Sequence, residues 1–275
     1  MPLLPLKEIL DTARANHQGV GMFNVVGLEY ADAIINAAED LNQPVIMGLP
    51  APFLEWRRHS EDLVNMMIRM AERTKSPVAV HLDHGGYDAA LRAIQMGFSS
   101  IMFDGSSLSF EENVSLTSEI VKAAHSAGIS VEGELGYMGF AEGAEIQTEN
   151  LTKPEEAGEF VRNTGVDALA VAIGNMHGHY KGVPCLDLNR LREIRASTAC
   201  ALVLHGGSGL SHLDFQNAVL AGISKINIFT SMLDVTARCV SQGILNGKPW
   251  HIISREMTEE VWICVKELMC VFARI

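Results

Sequence analysis

Eight short apolar runs alternate with amphipathic segments along 275 residues, and Gly97, Gly128, Gly165 and Gly222 each stand just before one of those runs. Glycine there is the expected left-handed stop of the preceding helix. This strand–helix rhythm, at this length, predicts an α/β protein: a single closed (β/α)8 barrel with an additional C-terminal helix. No linker, low-complexity stretch or charge block divides the chain, so residues 1–275 are expected to form one domain.

The predicted strands are Val20–Val25, Pro44–Leu49, Val78–Asp83, Ser99–Asp104, Ser130–Gly136, Ala168–Gly174, Ala201–Gly206 and Lys225–Thr230. They are rich in Val, Ile, Met and Ala, as suits strands buried on both faces. Amphipathic spacing predicts helices over Glu29–Leu41, Ser60–Arg73, Phe110–Ala127 and Pro154–Thr164. Pro154 followed by Glu155 and Glu156 is a strong helix start. Glu256–Ile275 predicts the extra C-terminal helix. The longest connection, Tyr137–Lys153, follows the fifth strand and carries Gly139 and Gly143. A connection of that length is read either as a lid or as a surface excursion.

Composition sets outer limits. Hydrophobic residues make up 48% of the chain, enough for a large core. A net charge of −12 argues against nucleic acid, whose phosphates need clustered Lys and Arg. A small phosphorylated substrate stays open, because local donors outweigh a global field at short range. The cysteines, Cys185, Cys200, Cys239, Cys264 and Cys270, are odd in number and contain no Cys-x-x-Cys. Neither a disulfide framework nor a cysteine zinc cluster is predicted from them. There is no signal-peptide pattern, and no run approaches the ~20 apolar residues of a membrane span. A cytoplasmic protein without a membrane partner is the expectation.

The strand ends carry the chemistry, because in a barrel they converge on one mouth. The third strand ends in His81-Leu82-Asp83-His84-Gly85. The sixth runs into Gly174-Asn175-Met176-His177-Gly178-His179, and the seventh into His205-Gly206-Gly207-Ser208-Gly209. His84, His177 and His205 thus come from three separated strand ends, each followed by glycine. Imidazoles so placed predict a Zn2+ site with its fourth corner open to substrate. His81 is read as core or outer support, and His179 follows His177 too closely to be preferred as a ligand. Asp83 is open between ligand, orienter, and general acid or base.

Asp104 ends the fourth strand, and Glu132 and Glu134 share one face of the fifth. Such carboxylates are poor structural choices unless paired or functional. Glu142, in the long connection, is read as a mobile acid or a solvated surface residue. Gly206–Gly209 and Asn227–Thr230, after the last two strands, predict an anion cradle, with Lys181 as a local positive charge. Arg57 and Arg58 are weighed as a second anion site or a solvated helix entrance.

These motifs resemble those of the class II (metal-dependent) ketose-bisphosphate aldolases, most closely the tagatose-bisphosphate and bacterial fructose-bisphosphate aldolases. The resemblance runs from Phe23-Asn24-Val25 to Lys225–Thr230. It is carried by His81–Gly85, Met102-Phe103-Asp104-Gly105-Ser106, Phe110-Glu111-Glu112-Asn113, Val131-Glu132-Gly133-Glu134-Leu135-Gly136, His177–Gly182 and His205–Gly209. It implies a TIM-barrel lyase that reversibly cleaves a ketose (bis)phosphate to dihydroxyacetone phosphate and an aldehyde, through a zinc-stabilised enediolate. His84, His177 and His205 match the zinc ligands, Asp83 the acid/base on the aldehyde oxygen, and Glu142 the loop carboxylate that exchanges a proton at the nucleophilic carbon. Gly178, Lys181, Gly207, Ser208, Asn227 and Thr230 fall in the segments that hold dihydroxyacetone phosphate, and Asn24 lies near the substrate. Asp104 and Glu134 match a second cation site, monovalent or divalent, of some members. A homodimer or homotetramer is implied as well.

The chain departs from the family pattern in places. Pro50 stands where relatives usually carry Ser or Thr. Phe229 and Ser231 flank Thr230, where a small residue and an acid are usual. Tyr137 replaces an Arg or small polar residue. These positions bear on the aldehyde partner, which the sequence leaves open. Two other readings are a non-catalytic barrel subunit that stabilises a partner aldolase, and a metal-dependent sugar-phosphate isomerase or epimerase.

Overall fold

A computed structural model describes residues 3–136, 150–180 and 182–275. The apolar runs form strands β1 (Val20–Asn24), β2 (Val45–Pro50), β3 (Val78–Gly85), β4 (Ser100–Phe103), β5 (Ser130–Leu135), β6 (Ala168–Val171), β7 (Ala201–Leu204) and β8 (Ile223–Ile228). Each pairs in parallel with its sequence neighbours, and β8 returns to β1, so the sheet closes into a barrel. Strands β6 and β7 stop before their histidine turns, sooner than the sequence predicts. The eighth begins earlier, at Ile223.

Among the described residues the helices are α1 (Leu6–Ala15), α2 (Leu28–Leu41), α3 (Pro52–Trp56), α4 (Ser60–Arg73), α5 (Tyr87–Met96) and α6 (Phe110–Ser126). They continue with α7 (Pro154–Thr164), α8 (Leu188–Ser197), α9 (His212–Ala221), α10 (Thr230–Leu245) and α11 (Trp250–Ala273). The four glycines before strands all adopt positive φ, as expected for helix stops. The C-terminal helix starts six residues earlier than predicted, directly after Pro249. Its residues Ile253, Met257, Val261, Val265, Met269 and Phe272 form one buried stripe. Phe272 packs on Phe215 and Phe23, with ring centroids 4.9 and 6.5 Å away.

The strands bury both faces, so the core has two parts. One lies between sheet and helices. The other fills the barrel with Met22, Ile46, Ala79, Met102, Ala168, Ala170, Ala201 and Val203, joined by Leu6, Ile9, Leu10 and Ala13 of α1. The apolar positions of α1 recur at helical spacing. Lys7 N–H donates to Ser130 Oγ at the start of β5, and Leu4 N–H to Val78 O at the start of β3. Helix α1 therefore plugs the end of the barrel opposite the strand C-termini. Among the described residues no helix is long and apolar enough to cross a membrane.

Candidate active site

Asp83 and His84 are chain neighbours, and regular strand alternation would send them to opposite faces. The β3–β4 register shifts between Leu82 and Gly85, and His84 takes a left-handed φ of 54°. This bulge brings both side chains to the barrel mouth. A non-glycine residue in that region is strained, and such strain gathers at functional sites.

The β6 and β7 turns are stitched together. Tyr180 Oη donates to Gly206 O (2.9 Å) and accepts from Met176 N–H (3.0 Å). Asn175 Nδ2 donates to His205 O (3.1 Å), while its Oδ1 accepts from Ile173 N–H (2.8 Å). Gly206 has φ 63°, and a Cβ there would lie 2.1 Å from Met176 O. Only glycine lets the two turns approach this closely.

The three predicted ligands meet. His84 Nε2 lies 2.8 Å from His205 Nδ1 and 3.2 Å from His177 Nε2. One ligand atom from each of the three lies within 4.8 Å of the others. His84 Nδ1–H donates to Asp104 Oδ2 (2.9 Å), and His205 Nε2–H to Glu132 Oε1 (2.7 Å). With those protons placed outward, the nitrogens facing each other are lone-pair donors. Imidazoles around a tetrahedral zinc ion put their nitrogens about 3.3–3.4 Å apart. The donor set therefore fits a divalent ion. Burial, then the proximity of His84 and Lys225, holds His205 well below the ordinary imidazole range, the neutral state a ligand needs.

Burial disfavours charge on His84, but Asp83, the Asp104 hydrogen bond and Glu134 outweigh it and raise its pKa to about 10 when no ion is present. Asp83 accepts from Asn24 Nδ2 (2.9 Å) and Asn227 Nδ2 (3.1 Å). Burial opposes its ionisation, but His84, His205, Lys225 and the Asn24 bond prevail and lower its pKa. Asp104 Oδ1 accepts from Ser106 N–H and Oγ–H (3.1 and 2.7 Å). Burial, together with Asp104 and Glu132, pushes Glu134 well above the carboxylate range despite His84. His84, Asp104 and Glu134 form a second group with cation-ligand spacing. Buried Asn24 Oδ1, Asn227 Oδ1 and Glu134 Oε2 have no hydrogen-bond partner, as befits groups awaiting a ligand.

Asn24, Asp83, His84, Asp104, Glu134, His177, Gly178, His205, Ser208, Asn227 and Thr230 line one cavity of about 700 Å3. Gly207 serves differently: its N–H donates to Asn227 O (3.2 Å) and ties the β7 turn to the end of β8. Glu142, Lys181 and Tyr137 lie outside the described residues. Arg57 Nη2 donates to Val26 O (2.9 Å), and its guanidinium lies 5.1 Å from the Phe53 ring centroid. His179 borders the cavity, with Nε2 3.5 Å from Asp234 Oδ1. The sequence reading missed the holding roles of Asn175 and Tyr180. Both stand in the quoted strand-six motif, but their bonds reach across to the β7 turn, which the motif does not mark.

A closed parallel barrel whose mouth gathers three imidazoles, three carboxylates and a glycine-rich turn defines a metal-dependent enzyme acting on a small polar substrate. Comparison with known proteins sharpens that class. The family model "Fructose-bisphosphate aldolase class-II" matches residues 4–274. Fructose-bisphosphate aldolase of Staphylococcus epidermidis is 40% identical over 252 residues, which cover 90% of this chain and 88% of that one. The fructose-bisphosphate aldolase of Staphylococcus aureus is 39% identical over the same length and shares. The crystal structure of the YdjI aldolase from Escherichia coli K12 matches with a TM-score of 0.87 and 34% identity, covering 98% of this chain and 97% of that one. The chain belongs to the class II fructose-bisphosphate aldolase family. Its reaction is reversible aldol cleavage, its substrate a phosphorylated sugar, and a divalent metal belongs to the family's chemistry. Neither a non-catalytic subunit nor an isomerase is favoured beside this.

Proposed function

We propose that the mouth splits a ketose (bis)phosphate into dihydroxyacetone phosphate and an aldehyde, with Zn2+ held by His84, His177 and His205. The observation that carries this is the convergence of their ring nitrogens, with the far nitrogens of His84 and His205 bonded to carboxylates. When bound, a divalent ion at these rings supplies electrophilic stabilisation of charge on the substrate's oxygens.

Asp83 is the acid/base. In cleavage it takes the proton of the hydroxyl on the carbon that becomes the aldehyde. That O–H pair forms the new C=O, the carbon–carbon bond breaks, and its electrons pass toward the triose carbonyl. In condensation Asp83 returns the proton. Asn24 and Asn227 keep its carboxylate ionised and aimed. Glu142 is proposed, from the resemblance, to deliver the proton to the triose carbon.

The phosphate end is assigned to Gly178, Lys181, Gly207, Ser208, Asn227 and Thr230. Ser208 accepts from Ser231 N–H (3.1 Å) in the first turn of α10, whose N-terminus opens at the mouth and favours an anion. Gly207 acts by bracing Asn227. Asp104 serves first to orient His84, and a second cation at Asp104 and Glu134 would compete for that bond. The aldehyde end is assigned to the β2 side, where Pro50 pairs in register with Asp83. Pro50 and Pro52 give that wall an apolar face, and Phe229 and Leu233 extend it from the β8 side.

Fructose bisphosphate, named for the staphylococcal relatives, is the first substrate to test. A homodimer or homotetramer is the proposed assembly, and exposed Ile244, Leu245 and Trp250 at the α10–α11 turn supply apolar surface for it. The test is triose phosphate release by the purified chain. A chelator should abolish it, Zn2+ should restore it, and borohydride with substrate should trap no adduct. Turnover that survives the chelator, or a trapped lysine adduct, overturns the proposal.

A further inference from the structure

Beneath the mouth lies an ion pair that the proposed reaction does not touch. Lys225 of β8 and Glu132 of β5 are both fully buried inside the barrel, with Nζ 2.8 Å from Oε2. The other oxygen of the same carboxylate, Oε1, is the one that accepts from His205 Nε2–H. His81, also fully buried, reaches the group with Nε2 3.7 Å from Glu132 Oε2, while its Nδ1 is bonded to Ser100 Oγ.

Below this cluster the barrel is apolar down to the α1 plug, save for Ser130, whose Oγ accepts from Lys7 N–H. Barrel interiors are ordinarily filled with branched aliphatic side chains. Here Ala79, Ala168, Ala170 and Ala201 stand among Met22, Ile46, Met102 and Val203, and the small residues leave room for long polar ones. Burying an ion pair gains little for stability, because desolvation offsets the attraction, and apolar replacements of equal volume often do as well. The pair therefore calls for another role.

The geometry supplies it. A carboxylate held at one end only can rotate and offer either oxygen. With Oε2 drawn to the ammonium, only Oε1 faces His205. An imidazole that donates from Nε2 presents Nδ1 as its lone pair, and Nδ1 is the atom that faces His84. We propose that Lys225 is a positioning residue for the metal site: by pinning Glu132 from below, it fixes the His205 ring with Nδ1 toward the mouth. The inference rests on the reading of His205 as a ligand.

The test titrates the metal-free full-length chain with Zn2+ against a chromophoric chelator, and with Co2+ followed by its visible absorption. Lys225→Met should weaken Zn2+ binding by roughly 10- to 100-fold, the loss typical when the outer partner of a ligating histidine is removed. It should also alter the Co2+ spectrum. Lys225→Gln keeps a shorter N–H donor and should fall between parent and Lys225→Met. It carries the test if the Met variant does not fold. Because Lys225 acts through Glu132, the double variant Glu132→Gln/Lys225→Met should bind Zn2+ no more weakly than Glu132→Gln alone. Parent-like Zn2+ affinity and Co2+ spectrum in Lys225→Met or Lys225→Gln, with only the melting temperature lowered, overturn the proposal. A parent chain that takes up no Zn2+ overturns the ligand reading on which it stands, and the proposal with it.

Discussion

His84 Nε2 lies 2.8 Å from His205 Nδ1, although 121 residues separate the two in the chain. Lone pairs so close repel unless a proton or a cation stands between them. In metal-free protein a proton on His84 fills that role, and a bound ion displaces it.

A pH dependence of the metal-free protein follows. The pKa of His84 is raised to about 10, because Asp83, Asp104 and Glu134 outweigh burial. A raised pKa contributes stability that is fully present below the unfolded value, about 6.5, and is lost as pH climbs through the folded one. Melting temperature of the metal-free chain should therefore fall between about pH 6.5 and 10 by more than that of His84→Gln. Parallel curves for the two proteins would contradict the assignment.

Asp83→Asn keeps the shape of the side chain but cannot take a proton. Its kcat should drop by about 10²- to 10⁴-fold, the usual worth of a positioned acid/base. Zn2+ affinity should stay within a few-fold of the parent. Steady-state kinetics beside a metal titration checks both, and an active Asp83→Asn would remove the carboxylate from the mechanism.

Gly206→Ala places a methyl 2.1 Å from Met176 O at φ 63°. The two histidine turns must then part. A loss of about 1–3 kcal/mol in stability is expected. In a barrel of this size that is roughly 2–4 °C of melting temperature per kcal/mol. Zn2+ affinity should fall too, since His177 and His205 flank the clash. Calorimetry with and without Zn2+ reads both effects.

Pro50 offers no N–H and no hydroxyl beside its register partner Asp83. Pro50→Ser should therefore raise kcat/KM for hydroxylated aldehydes relative to alkyl aldehydes, by roughly 10-fold for one new hydrogen bond. Condensation with dihydroxyacetone phosphate across an aldehyde panel measures that ratio. An unchanged ratio would move the aldehyde away from β2.

The barrel was legible because each strand announces itself as an apolar run closed by a turn signal, as at Val78–Gly85. The three histidines were legible for a related reason: topology alone brings strand ends together. Helix α1 was not foreseen, since Leu6, Ile9, Leu10 and Ala13 show an apolar stripe but not the barrel end that it plugs. Pro249 marked the start of α11, yet the run it opens has mixed polarity before Glu256. The bulge that turns His84 into the mouth depends on the pairing of β3 with β4, which no residue of β3 encodes alone. The Lys225–Glu132 pair was hidden for the same reason, because its partners are 93 positions apart in the chain, on β8 and β5, and meet only once the sheet closes.

The most direct measurement is anomalous diffraction at the zinc edge from crystals of the Zn2+-loaded chain. The expected map has a peak bonded to His84, His177 and His205, about 2.0–2.1 Å from one nitrogen of each. Zinc bound elsewhere, or bonded to fewer than these three rings, would contradict the account.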